Sequence, residues 1–231
     1  MRRVGLIGGM SWESSALYYR LLNEQVRDRL GGLHSADCVL GSVDFAQIER
    51  MQVAGAWDDA GEVLAREARR LEAAGAEALV LCTNTMHRVA DRIEAAVGIP
   101  LLHLGDITAR AALDAGLDTV GLLGTAFTME QAFYRDRVAR HGLRVLVPDA
   151  GQRVLVHRII YDELVLGEVR EGSRDAYRRV VGSLVERGAQ GVVLGCTEIE
   201  LLLTDDTASG VPLLPTTRLH VAAAVAWSLD G

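Results

Sequence analysis

The chain has 231 residues and a formal net charge of −7, a length that fits one large α/β domain or two smaller ones. An acidic chain is poorly suited to nucleic acid or to an anionic membrane surface, both of which need basic patches, so we expect neither as a partner. No apolar run approaches the ~18 residues that a membrane-spanning helix needs, so we also expect no membrane segment.

All 24 basic residues are arginine, and the lack of lysine excludes several chemistries. Pyridoxal phosphate enzymes and Schiff-base aldolases use a lysine amine, and a P-loop binds phosphate with one. Cys38, Cys82 and Cys196 form no CxxC pair and are odd in number, which disfavours a disulfide framework or a zinc knuckle. This cysteine usage fits a reducing compartment, so the sequence predicts a cytoplasmic protein. The apolar run after Arg2 and Arg3 is too short and too glycine-rich for a signal peptide.

Short apolar runs alternate with longer amphipathic segments, which is the pattern of βαβ units in a parallel sheet. The helical pattern is clearest over 58–74, where Val63, Leu64, Ala68 and Leu71 recur at helical spacing. Several of the short runs are almost wholly apolar, as expected for parallel strands covered on both faces. The predicted strands cover residues 4–7, 38–43, 78–81, 101–104, 119–123, 144–147, 191–194 and 211–214.

The two halves of the sequence resemble each other. Three pairs of segments match at nearly one offset: 4–8 with 120–124, 71–81 with 184–194, and 99–102 with 211–214. A shared offset predicts two similar α/β halves, and chance similarity between apolar strands is the alternative.

Polar residues follow the two strands that the repeat relates. The repeat aligns Thr83, after strand 78–81, with Cys196, after strand 191–194. Ligands of open α/β sheets bind at the carboxyl ends of the strands, so two related halves that face each other would place these side chains across one cleft. Adjacent strand residues point to opposite faces, so we expect Cys82 to be a structural thiol.

Three motifs carry a resemblance to a known family: Gly195-Cys196-Thr197-Glu198-Ile199, Asn84-Thr85-Met86-His87, and the opening Gly5-Leu-Ile-Gly-Gly-Met10. Together they resemble the aspartate/glutamate racemase family, over essentially the whole chain. The resemblance implies two pseudo-symmetric, three-layer α/β domains with mainly parallel sheets and an active site in the cleft between them. It also implies a small amino-acid substrate, catalysis without pyridoxal phosphate or metal, and a homodimer.

The resemblance also guides the predicted domain bounds. We expect a first domain of residues 1–98 plus 208–231 and a second domain of residues 99–207. In this arrangement the C-terminal helix Thr216–Leu229 returns to the first domain, where its apolar stripe is covered.

The first-domain motif departs from the family pattern. Members usually have Cys-Asn-Thr where this chain has Thr83-Asn84-Thr85. That substitution resembles a bacterial subgroup of broad aspartate/glutamate racemases with an L-preference, in which one catalytic cysteine faces a threonine. Segments 34–45 and 159–164 are similar to the same subgroup. Many aspartate racemases have a substrate-contacting lysine near the second segment, so carboxylate recognition must differ in a chain without lysine.

Racemisation requires proton transfer on both faces of the α-carbon, and Cys196 and Thr83 are the predicted catalytic pair. A cysteine, with an ordinary pKa of about 8.5, can exchange between thiol and thiolate near neutrality. A threonine hydroxyl does not ionise in this range, so Thr83 would donate through a relay or position a water. Asn84, Thr85 and Thr197 are predicted to donate to the substrate carboxylate, where carbanion charge accumulates.

Five further residues are predicted to serve the site, each with a structural alternative. Met10 lines the cleft or belongs to the first loop. By resemblance Gln52 contacts substrate, and a solvated turn is the alternative. Thr125 bonds substrate or caps a helix. Glu163 holds the substrate ammonium or lies on a surface helix, and Glu198 orients the catalytic thiol or caps the next helix.

The six histidines form no HxH or HExxH pattern, so no metal site is predicted. His87 follows Thr83 by one helical turn and could tune the site, although a structural role is the alternative. Rival functions are a one-thiol decarboxylase of malonates or a cis-trans isomerase of a small dicarboxylate on the same scaffold, and a non-catalytic amino-acid binding protein. An aromatic content of 5% offers no obvious aryl pocket for an arylmalonate.

Overall fold

The computed structural model describes residues 1–204 and 207–230, and the chain divides into two compact units. The first unit is Met1–Leu104 with His220–Gly231, and the second is Gly105–Leu219. The domains predicted from the sequence, 1–98 with 208–231 and 99–207, have other bounds and stay a prediction.

Strands and helices alternate along the chain, and the predicted α/β class with mainly parallel sheets is confirmed. The elements up to residue 94 are β1 (Val4–Gly8), α1 (Trp12–Leu30), β2 (Cys38–Ser42), α2 (Phe45–Val53), α3 (Trp57–Ala73), β3 (Ala78–Leu81), a 3₁₀ turn (Thr85–Val89) and α4 (Ala90–Glu94). The elements that follow are α5 (Leu104–Asp114), β4 (Thr119–Gly124), α6 (Ala126–Glu130), α7 (Ala132–Ala139), β5 (Arg144–Leu146), α8 (Ala150–Asp162), a 3₁₀ turn (Leu164–Leu166), α9 (Glu171–Glu186), β6 (Gly191–Gly195), α10 (Ile199–Leu202), β7 (Thr207–Ala208), β8 (Val211–Pro215) and α11 (Thr216–Leu229). Among the helices of the described residues, none has the length and hydropathy required to span a bilayer.

The sheet of the first unit has three parallel strands in the order β2-β1-β3. Successive strand residues point to opposite faces, so each face has its own apolar set. Ile7 and Leu81 pack with α3 on one face. Leu6 and Val80 pack with α1 and the last turns of α11 on the other face. The sheet is therefore the middle of three layers.

The sheet of the second unit has five strands in the order β5-β4-β6-β8-β7. All pairings are parallel except that of β7 with β8, which is antiparallel. Leu123 and Leu194 pack with α8 and α9 on one face, and Leu122 and Val193 pack with α5 and α7 on the other. Because both faces are covered, the central strands are continuous apolar runs rather than alternating ones.

The two units share a local arrangement that supports the sequence repeat. The orders β2-β1-β3 and β5-β4-β6 correspond strand by strand. A Cβ at Gly5 in β1 would lie 3.2 Å from Leu71 Cβ, and a Cβ at Gly121 in β4 would lie 2.9 Å from Leu184 Cδ1. The repeat therefore preserves a close approach of the central strand to one leucine of the covering helix.

The predicted strand over 101–104 is wrong. Leu101 forms only a single parallel bridge with Leu79, and α5 begins at Leu104. The bridge is flanked by bonds from the Leu79 N–H to the Pro100 carbonyl and from the Leu102 N–H to the Leu79 carbonyl. It does not extend toward residue 104, because the Leu104 N–H donates to His87 Nε2 instead of to a strand. An apolar run thus passes beside the sheet without becoming a strand.

Two glycines end the neighbouring strands β4 and β6. Gly124 and Gly195 are register partners, and a Cβ at Gly195 would lie 2.7 Å from the carbonyl oxygen of Leu123. A Cβ at Gly124 would lie 3.0 Å from the Gly195 carbonyl oxygen. The absence of side chains at both positions lets the strand ends approach closely, and Thr125 and Cys196 are the residues that follow them.

We expect Gly195→Ala to destabilise the protein by about 1–3 kcal/mol, because the new methyl group meets backbone rather than a movable side chain. Gly182→Ala is the matched control, since Gly182 lies inside α9. A Cβ there would have its nearest neighbour, Ser209 Oγ, at an ordinary contact distance of 3.6 Å. We expect this control to gain about 0.5–1 kcal/mol from higher helix propensity. Urea unfolding followed by circular dichroism measures both, and equal effects in the two variants would contradict the close approach.

Candidate active site

Each of the two strand-end motifs follows a buried strand of its own unit. Thr83, Asn84 and Thr85 come directly after β3 in the first unit, and Cys196 comes directly after β6 in the second. Thr83, Thr85 and Cys196 are partly exposed, whereas Asn84 is buried. Each unit thus presents a proton-carrying side chain at the carboxyl end of a buried strand.

Thr83 is held through its backbone. Its N–H donates to the carbonyl of Leu81 at 2.8 Å, and its own carbonyl accepts from His87 Nδ1 at 2.7 Å. The preceding carbonyl, that of Cys82, accepts from Ser14 Oγ at 3.3 Å. Within residues 1–204 and 207–230 the Thr83 hydroxyl makes no hydrogen bond. It is therefore available to a substrate or a water.

Cys82 is a core residue, as the sequence predicted. It is completely buried among apolar side chains, and burial raises the pKa of its thiol far above the usual range. A thiol in this state does not supply a thiolate at neutral pH.

The first loop of the chain needs a glycine. Gly9 has φ of 93°, and a Cβ there would lie 2.2 Å from the Val43 carbonyl oxygen. The Gly9 N–H donates to Ser15 Oγ at 2.7 Å, which ties the loop to α1. Met10 follows and is buried in the first unit's core, where it packs in the cluster that contains Ile48. Its predicted contact with substrate stays a prediction.

Gln52 is not part of a solvated turn. It lies in α2, is 5% exposed, and its Nε2 donates to Met86 Sδ at 3.0 Å. Met86 lies in the 3₁₀ turn Thr85–Val89, so the contact ties α2 to the turn that follows Thr83 and Asn84. Contact between Gln52 and a substrate stays a prediction.

Cys196 is paired with Glu198. The Cys196 thiol donates to Glu198 Oε2 over 2.9 Å. Burial, and then the negative charge and hydrogen bond of the Glu198 carboxylate, raise the pKa of the Cys196 thiol well above its usual range. The backbone N–H groups of Thr197 and Glu198 act in the opposite sense and favour the thiolate. This hydrogen bond supports the prediction that Glu198 orients Cys196. The alternative, a helix-cap bond from the Glu198 side chain to α10, is not formed.

Thr125 caps a helix. It is the N-cap of α6, and its Oγ1 accepts from the Thr128 N–H at 3.4 Å. The structural alternative for Thr125 is therefore confirmed. A bond from Thr125 to substrate stays a prediction.

Glu163 is held inside the second unit rather than on a surface helix. Its carboxylate side chain is 13% exposed, accepts from Ser173 Oγ at 2.5 Å, and lies 3.5 Å from Arg170 Nη1. A substrate ammonium at Glu163 would have to share the carboxylate with that guanidinium.

Tyr177 is a residue that the sequence analysis missed. It is fully buried, and its hydroxyl donates to the Val156 carbonyl at 3.0 Å. Burial raises the pKa of Tyr177 well above the usual range, and the charges of Cys196, Glu163 and Glu198 act in the same direction. Tyr177 is therefore within electrostatic reach of these three groups. Tyr177 occupies an apolar position of α9, so its sequence pattern is that of any core residue.

Each unit has a group that can carry a proton. The second unit has a thiol bonded to a carboxylate, and the first has a hydroxyl that makes no hydrogen bond among the described residues. In the part of the chain that the structure describes, no group of three or more His, Cys, Asp or Glu side chains is placed to hold a metal ion.

Comparison with known proteins identifies the family. A protein from Yersinia pestis, provisionally named an Asp/Glu racemase, is 53% identical, with a TM-score of 0.94 over 99% of this chain and 100% of that one. An aspartate racemase homologue from Pyrococcus horikoshii OT3 is 29% identical, with a TM-score of 0.86 over 99% of both chains. The Picrophilus torridus aspartate racemase, at 19% identity and a TM-score of 0.75 over 99% of this chain and 94% of that one, shares the fold. A sequence model of the Asp/Glu/hydantoin racemases matches residues 7–224, and the chain belongs to that family.

Proposed function

We propose that this protein is a cofactor-independent racemase of aspartate or glutamate, in which Cys196 and Thr83 transfer protons on opposite faces of the α-carbon. The observation that carries the proposal is the 2.9 Å bond between the Cys196 thiol and the Glu198 carboxylate at the end of β6. The likeness to the Yersinia pestis protein supports it across the whole chain. The homodimer that the family resemblance implies and the cytoplasmic location that the sequence predicts belong to the same proposal.

On the face of the substrate that Cys196 serves, the thiol proton already has an acceptor, the Glu198 carboxylate. The Cys196 proton passes to the Glu198 carboxylate, leaving a thiolate that the N–H groups of Thr197 and Glu198 favour. The thiolate then removes the α-proton and becomes a thiol again, while the electron pair of the broken C–H bond delocalises into the substrate carboxylate. Glu198 returns its proton to solvent, which restores the starting pair of thiol and carboxylate and balances the proton that the other face takes up. Transition-state charge on that carboxylate is where hydrogen-bond donors lower the barrier most.

The opposite face receives a proton from the side of Thr83. Either the hydroxyl donates directly and is reprotonated through a relay, or it positions a water that donates. Both routes leave carbon with one proton lost and one gained. Because the free enantiomers have equal energies, kcat/KM must be the same in both directions, and the unequal pair of groups can change only how kcat and KM divide between enantiomers.

Substrate binding without lysine is assigned to neutral donors and one carboxylate. Asn84, Thr85 and Thr197 are proposed to donate to the α-carboxylate, and Met10, Gln52 and Thr125 to complete the walls of the site. Glu163 is proposed to hold the ammonium, in competition with Arg170 at 3.5 Å. The chain has no lysine that could form a Schiff base with pyridoxal phosphate, which favours the cofactor-independent route.

The first test is proton exchange in D₂O with each enantiomer of aspartate and glutamate. Wild-type protein is expected to invert the substrate and to place solvent deuterium at the α-carbon. Cys196→Ser and Thr83→Val are expected to lose inversion on the order of 10²–10⁴-fold, the range for removal of a general acid or base. Optical rotation and proton NMR follow inversion and exchange.

Cys38→Ser is the control for this test, because Cys38 is a thiol of β2 and not a proposed site residue. An unchanged inversion rate in Cys196→Ser would contradict the assignment. Turnover of arylmalonate or maleate without inversion of an amino acid would identify one of the rival enzymes. Calorimetric binding of aspartate without α-proton exchange would indicate a binding protein.

A second test concerns the state of the thiol. Glu198→Gln removes the charge that raises the Cys196 pKa, so the thiolate should form at lower pH. We therefore expect the midpoint of iodoacetamide alkylation at Cys196, measured by peptide mass spectrometry against pH, to move to lower pH. Glu200→Gln is the matched control, since Glu200 pairs with Arg218 at 3.0 Å and is not among the groups that shift Cys196. A midpoint that stays in place or rises in Glu198→Gln would refute the pairing.

A further inference from the structure

Three buried histidines lie together in the first unit. His87, His103 and His220 are 3%, 8% and 0% exposed. The ring centroid of His87 is 4.7 Å from that of His103 and 5.9 Å from that of His220. A buried imidazole has to satisfy both ring nitrogens, so the partners of each nitrogen fix where its proton sits.

The partners of His87 fix one tautomer. The Leu104 backbone N–H donates to His87 Nε2 at 3.2 Å, and a backbone N–H can only donate, so Nε2 carries no proton. Nδ1 lies 2.7 Å from the Thr83 carbonyl oxygen, which can only accept, so the proton is on Nδ1. His87 is therefore a neutral imidazole that donates to the backbone of Thr83.

The neighbouring ring has the opposite tautomer and is also neutral. His220 Nε2 lies 2.6 Å from the Leu102 carbonyl, so it carries the proton, and His220 Nδ1 accepts from the Tyr18 hydroxyl at 3.0 Å. Burial lowers the pKa of His220 to about 4. His87 thus lies beside the neutral ring of His220, with its own Nδ1–H directed at the Thr83 carbonyl.

We propose that His87 is a positioning residue that aims the Thr83 hydroxyl by holding the Thr83 carbonyl with its Nδ1–H. The peptide before Thr83 is fixed by the N–H bond to Leu81, and the peptide after it is fixed by His87. With both peptide planes held, the Cα–Cβ bond of Thr83 has one direction, and a β-branched side chain has few rotamers about it. This inference rests on the proposed proton-transfer role of Thr83.

A purely structural role for the same hydrogen bond would have a different kinetic signature. If His87 only satisfied a buried carbonyl, its loss would loosen the fold and slow proton transfer on both faces alike. If His87 aims Thr83, its loss raises the barrier only for the proton transfer on the Thr83 face. That step then limits the rate whichever enantiomer is supplied.

Kinetic isotope effects with α-deuterated enantiomers separate these cases. The enantiomer deprotonated on the Thr83 face should show a larger α-deuterium effect when that face is impaired. The enantiomer deprotonated by Cys196 should show a smaller one, because its C–H cleavage becomes reversible before the limiting step. Thr83→Ser, which keeps the hydroxyl but loses the rotamer constraint, identifies which enantiomer belongs to which face.

The decisive variants each keep one of the two His87 hydrogen bonds. Asn at position 87 places an amide N–H near Nδ1 and keeps the donor to Thr83, whereas Gln places its amide near Nε2 and keeps the acceptor for the Leu104 N–H. We expect kcat in His87→Gln to fall on the order of 10- to 100-fold, the cost of a small misplacement, with the two isotope effects moving in opposite directions. His87→Asn should stay within a few-fold of wild type.

His220→Asn is the matched control, since it removes another buried ring of the cluster that does not bond to Thr83. It should lower the melting temperature while both isotope effects stay at wild-type values. A second readout needs no variant: ¹⁵N NMR of histidine-labelled wild type should show His87 as the Nδ1–H tautomer from pH 6 to 8. An Nε2–H or doubly protonated His87 would overturn the inference.

The outcomes separate this inference from the function it rests on. If wild type does not racemise, or if Thr83→Val inverts substrate at the wild-type rate, the proposed function fails and the inference fails with it. If Thr83 variants behave as proposed but His87→Gln moves both isotope effects together, or His87→Asn is as impaired as His87→Gln, the inference alone fails.

Discussion

Backbone carbonyls at the carboxyl ends of buried strands have to find donors, and this requirement organises both strand ends. A buried carbonyl left unsatisfied costs about 1–3 kcal/mol. After β3 the Thr83 carbonyl accepts from a ring nitrogen of His87, and at the end of β6 the Leu194 carbonyl accepts from Thr216 Oγ1 at 2.8 Å. In both units other side chains fill the backbone requirement. The Thr83 hydroxyl and the Cys196 thiol are therefore not consumed in holding the fold together.

The two strand ends meet different chemical demands. In the proposed reaction the pKa of the thiol depends on nearby charge. The Glu198 carboxylate, at hydrogen-bond distance from Cys196, raises that pKa while it is ionised and no longer opposes the thiolate once it has accepted the proton. A hydroxyl cannot be tuned into the neutral range in the same way, so its efficiency depends on placement. The groups that hold Thr83 are accordingly neutral, namely a backbone carbonyl and the uncharged ring of His87. In the proposed reaction the Cys196 thiol thus depends on the charge state of Glu198, and the Thr83 hydroxyl depends on its position.

The sequence was sufficient for features that rest on local pattern. Parallel strands covered on both faces are continuous apolar runs, so most strands could be predicted, and the run over 101–104 failed because it passes beside the sheet after Pro100 instead of joining it. Features that depend on partners far away in the chain could not be predicted from the sequence. The tautomer of His87 is set by the N–H of Leu104, 17 residues away, and the burial of Glu163 depends on a different helix. Pairing across short separations, as between Cys196 and Glu198, was accessible because both residues belong to one motif.

The two proton carriers of the proposed reaction are unequal, so the rate depends on how well the poorer one, the threonine hydroxyl, is placed. In the proposed reaction inversion requires both transfers, so whichever face is slower limits turnover in both directions. Alignment errors of about 1 Å can cost as much as 10²-fold in rate. A threonine in place of a second thiol is therefore workable only where its backbone is held from both sides. The bonds from the Thr83 N–H to the Leu81 carbonyl and from His87 Nδ1 to the Thr83 carbonyl hold the backbone from both sides, as the proposed role of Thr83 requires.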